Sequence, residues 1–88
     1  MKKITINGKE FVVKPIDFNA ICELEDKGFS LQDAAKQSMK TIRALVALVM
    51  ECDIDKAGKE VEQHIANGGK FSDFAVLIEN LTESDFFR

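Results

Sequence analysis

Polar and apolar residues alternate through the first fourteen positions. Lys2-Lys3-Ile4-Thr5-Ile6 and Lys9-Glu10-Phe11-Val12-Val13-Lys14 flank Asn7-Gly8, a pair favoured in type I′ turns because both central residues need positive φ. A two-residue loop there sets Ile6 opposite Lys9, Thr5 opposite Glu10 and Ile4 opposite Phe11. Lys2, Ile4, Ile6, Lys9, Phe11 and Val13 then share one face, while Lys3, Thr5, Glu10 and Lys14 point outward. Turn chemistry and apolar period agree independently, so residues 1–14 are predicted to form a β-hairpin covering a core. A hairpin alone is only marginally stable and must pack on the rest of the chain.

From residue 17 to 83 the period changes to that of helices. Pro15 ends the second strand, and Asp17 can cap a helix through Phe18, Ile21, Cys22 and Leu24, with Gly28 as its left-handed stop. Ser30 opens a second, short helical signal through Leu31, Ala34 and Ala35. After Ser38 the run Met39, Ile42, Leu45, Val46, Leu48, Val49 and Met50 is apolar round most of a helix, with a polar strip at Lys40, Arg43 and Glu51. A helix with so little polar surface is predicted to be the central one. Asp55 is the predicted cap of a helix carrying Ala57, Val61 and Ile65 and stopping at Asn67-Gly68-Gly69. A last helix is predicted to start at Ser72, stapled by Phe71 against Val76. Its Phe74, Leu77, Ile78 and Leu81 fall at i, i+3, i+4 and i+7. Residues 84–88 are expected to form a tail. The expected fold is α+β, a single domain of residues 1–88 with the hairpin packed on four or five helices.

Composition narrows the classes. The longest nearly apolar run, Ala44 to Met50, is far below the ~20 residues that span a bilayer, and no apolar segment follows Met1-Lys2-Lys3 as in a cleavable signal. Membrane insertion and secretion are therefore not expected. A net charge of −3 offers no general attraction to a phosphate backbone. The row Lys36, Lys40 and Arg43 reads as a solvated face. Cys22 and Cys52 lack metal-site spacing and sit in apolar periodic segments, so both are expected as buried free thiols in a reducing compartment.

Little in the sequence carries covalent chemistry. His64 is the only histidine and is expected as a solvated helix residue. Asp53-Ile54-Asp55 is similar to the start of a calcium loop with Gly58 at its sixth position, but the twelfth position is His64 instead of an acid. The glycines match no phosphate-binding loop. The chain is therefore expected to be non-enzymatic, without metal or cofactor. Seven phenylalanines are the only aromatics, and Phe71, Phe74, Phe86 and Phe87 crowd the last eighteen residues. That excess over what the core requires suggests a surface for another chain.

The order Ile4-Thr5-Ile6-Asn7-Gly8-Lys9-Glu10-Phe11, then Phe18, Ile21, Leu24-Glu25 and Gly28, Arg43-Ala44-Leu45-Val46-Ala47, Asn67-Gly68-Gly69 and Glu83-Ser84-Asp85-Phe86-Phe87 resembles the small tail assembly chaperones of long-tailed bacteriophages and prophages. The resemblance spans almost the whole chain. It implies a protein of the bacterial host cytoplasm, absent from the mature virion, that keeps the tape measure protein soluble and helps recruit tail tube subunits. It also implies the short form of a product that is often extended by a frameshift. Phe71, Phe74, Leu77, Leu81, Phe86 and Phe87 are expected to form or border the partner surface, which self-association could share. Replacing Phe86 and Phe87 by Ser is expected to weaken tape-measure binding at an unchanged melting temperature. The rival reading is a small DNA-binding regulator, because Gly28-Phe29-Ser30 can mimic the turn of a helix-turn-helix; the acidic balance opposes it.

Overall fold

The computed structural model describes residues 2–29 and 39–84. Strands β1 (Lys2–Ile6) and β2 (Lys9–Val13) pair antiparallel in the predicted register, Ile6 with Lys9 through Lys2 with Val13. Asn7 and Gly8 have φ of 52° and 80°, so both turn residues occupy the left-handed region that the type I′ geometry demands. Ile4, Ile6 and Val13 are buried and Phe11 half-buried, while Lys3, Thr5, Glu10 and Lys14 are exposed.

Four α-helices complete the described residues: α1 (Phe18–Asp26), α2 (Met39–Met50), α3 (Ile54–Ala66) and α4 (Ala75–Thr82), the last preceded by a 3₁₀ turn, Phe71–Phe74. The fold is thus a hairpin on a small helical globule, α+β as expected. Asp17 caps α1, its Oδ1 accepting from the Ala20 N–H at 2.8 Å. The helix stops in a Schellman motif: the Gly28 N–H donates to Glu25 O and the Phe29 N–H to Leu24 O, with Gly28 at φ 87°. Phe29 and Leu24 are both buried, at the two positions where this motif favours apolar residues. The predicted helix after Ser30, and with it the second half of any helix-turn-helix, lies outside the described residues.

Helix α2 is the central element, packed against β2, α1, α3 and α4. Its Ile42, Ala44, Leu45, Val46 and Ala47 are core residues, the consequence of a helix apolar round most of its circumference. It ends in a second Schellman motif, Glu51 N–H to Leu48 O and Cys52 N–H to Ala47 O, but here the left-handed position is Glu51 at φ 55°.

Two predicted starts shift. Asp53, not Asp55, caps α3, with its Oδ1 accepting from the Lys56 N–H at 2.7 Å; Asp55 sits in the first turn, where a carboxylate favours the positive end of the helix. The last helical segment begins at Lys70 instead of Ser72. The Asp73 carboxylate reaches back to the Lys70 N–H at 2.9 Å, and the chain makes one tight 3₁₀ turn before continuing as α4.

Candidate functional site

The expected aromatic surface divides. Phe74, Leu77 and Leu81 are in the core, each at most 2% exposed, because the hairpin and α2 both rest on the apolar stripe of α4. All three are covered by their own chain, and Leu77 also lies beneath the groove described next. Phe71 is 40% exposed and meets Phe74 edge-on, ring centroids 6.1 Å apart. Phe86 and Phe87 lie outside the described residues.

A surface fit for a partner occurs elsewhere. The end of β2, the connection to α1, the start of α1, the C-terminal half of α2 and the face of α4 enclose a groove of about 400 Å³. The half-buried Leu48 and Val49, over the buried Leu45 and Leu77, give it an apolar floor, and Asp17, Glu23 and Glu51 stand round it against a single cation, Lys14. It exists because α2 is apolar on more of its circumference than its neighbours cover; Leu48 and Val49 stay half-buried. Asn80 fixes one wall by donating from Nδ2 to the Lys14 carbonyl at 2.9 Å. An apolar floor with acidic edges can take an apolar stripe flanked by basic residues.

His64 is the second concentration of polar groups, and it is not a solvated helix residue. Its Nδ1 accepts from the Asn7 backbone N–H at 3.2 Å, and its Nε2 donates to Asp73 Oδ2 at 2.9 Å. The ring stands edge-on to Phe74, centroids 5.2 Å apart, and only 11% of the side chain is exposed. Asn7 ties the same helix a second time, its Nδ2 donating to the carbonyl oxygen and the carboxylate of Glu60. The third stop, Gly68 and Gly69, belongs to this arrangement. A Cβ on Gly69 would collide with the imidazole and with the His64 carbonyl. With Nδ1 accepting one hydrogen bond and Nε2 donating another, the ring has no nitrogen left to act as a base or a ligand. The cluster is a clasp joining the hairpin turn, α3 and the 3₁₀ turn. Asp73's carboxyl lies below its ordinary value, first through the Lys70 backbone N–H and then through His64.

The thiols also differ from expectation. Cys22 is exposed on α1, and Cys52 is half-buried after α2, where burial pushes its thiol up. No grouping of three or more metal-ligating side chains occurs among the described residues, and none of their helices is long and apolar enough to cross a membrane. Compared with known protein families, characterised proteins and solved structures, the chain matches none.

Proposed function

We propose that this chain is a non-enzymatic tail assembly chaperone that binds the tape measure protein, holds it soluble in the bacterial host cytoplasm and helps recruit tail tube subunits. The observation that carries this reading is the groove between the end of β2, α1, α2 and α4. Its apolar floor matches a stripe on a helix at i, i+3, i+4 and i+7 spacing, and its acidic rim favours basic residues beside that stripe. A shallow site of this kind accepts many similar segments with modest affinity, as a chaperone of one long repetitive helical partner requires. The groove shares Leu77 with the expected aromatic surface, of which Phe71 is the described residue that stays exposed.

Co-expression with the tape measure protein tests the proposal. The wild-type chain should raise the soluble fraction of that partner severalfold. The double variant Glu23→Lys, Glu51→Lys alters only exposed side chains and should lose most of that effect. A partner that stays insoluble in either case would count against the reading.

A further inference from the structure

Strand β2 has a neighbour on one side only. In a hairpin with a two-residue loop, the pair flanking the turn exchanges both backbone hydrogen bonds, and bonded and non-bonded pairs alternate from there. Ile6 and Lys9 are that first pair, so Glu10 and Val12 turn their N–H and C=O groups away from β1. Among the described residues nothing bonds those groups; the first edge group engaged is the Lys14 carbonyl, which holds the Asn80 amide. The Val12 side chain is 44% exposed, and Glu10 and Lys14 on either side of it are exposed as well, Glu10 holding Lys3 of β1 at 3.4 Å through Oε1 and keeping Oε2 for a second cation.

This edge is complementary to itself. About a two-fold axis through Val12, an antiparallel pairing sets Val12 against Val12 and Glu10 against Lys14 twice over. Moving the axis to Phe11 places Glu10 opposite Val12, and moving it to Val13 places Lys14 there; either shift loses both charge pairs. The Lys14 carbonyl keeps a second lone pair for the new strand while it holds Asn80.

We propose that β2 is a homodimerisation edge, two copies pairing antiparallel about Val12 to make one four-stranded sheet. One short strand edge is small beside a stable protein interface, so the dissociation constant falls on the order of 10–1,000 μM. This inference does not depend on the identity of any other partner.

Sedimentation equilibrium tests it, with interference optics because the chain has neither Trp nor Tyr. Wild type should show a monomer–dimer equilibrium. Glu10→Lys and Lys14→Glu each set like charges opposite one another and should weaken it about tenfold or more. An equimolar mixture of the two restores opposite charges across the axis and should associate again. Val12→Pro removes one outward N–H while leaving the β1 ladder intact, and should also stay monomeric. A wild type that is monomeric at about 1 mM, charge variants that associate like wild type, or a mixture that stays dissociated would each overturn the proposal.

Discussion

Glu51 holds a backbone conformation that costs an L-residue ~1–2 kcal/mol, and only because α2 must turn sharply into α3. Glycine there removes that cost but gives up ~0.5–1 kcal/mol of chain entropy. Glu51→Gly should therefore stabilise the fold by about 0.5–1 kcal/mol, raising the midpoint of a circular-dichroism melt by a few degrees. His64 is costly to lose, since two hydrogen bonds and a ring contact go with it; His64→Ala should destabilise by about 2–3 kcal/mol in urea unfolding. Asp73 sets a pH dependence with a definite sign. Its folded carboxyl titrates below the ordinary 3.8, so its stabilisation is complete above that value and is lost as pH falls through the lower folded one. The difference in melting temperature between wild type and Asp73→Asn should accordingly shrink in acid; a difference that is constant down to the acid transition would remove Asp73 from the account. At neutral pH, iodoacetamide should label exposed Cys22 before Cys52, whose thiol burial holds protonated.

At the scale of elements, the hairpin is legible in the sequence because its information is local: Asn7-Gly8 fixes the turn and the period of two fixes the face. The central role of α2 is legible for a similar reason, a near-complete apolar circumference. The stripe on α4 announces a buried face without saying what buries it, so periodicity alone leaves Phe74, Leu77 and Leu81 open to a partner although the hairpin and α2 cover them. Asp53 and Asp55 both suit a cap, and only the bond from the Lys56 N–H to Asp53 decides between them. The clasp at His64 is illegible, because its partners are 57 residues back at Asn7 and nine ahead at Asp73, and no pattern along the chain links them. The groove is legible only in part: the excess apolar surface of α2 is visible, its acidic rim is not. A pair of substitutions separates core from surface within the 3₁₀ turn. Phe74→Ala should cost about 3–5 kcal/mol, whereas Phe71→Ser should cost under ~1 kcal/mol.

At the scale of the molecule, the hairpin, clasped at its turn by Asn7 and His64 and at its open end by Asn80, forms an edge beside an amphipathic groove. Val12 borders both the groove and the exposed edge of β2. Strand pairing there narrows the groove's entrance, so self-association and partner binding are expected to compete. The central claim is that this surface receives an apolar helical stripe of a very long partner. Its most direct test is capture on the tagged chain from cells expressing the surrounding gene cluster, with the captured proteins identified by mass spectrometry. Wild type should retain the tape measure protein, and the chain with Glu23 and Glu51 both replaced by Lys should release it. Recovery of DNA, of the chain alone, or of the tape measure protein equally by both forms would contradict the claim.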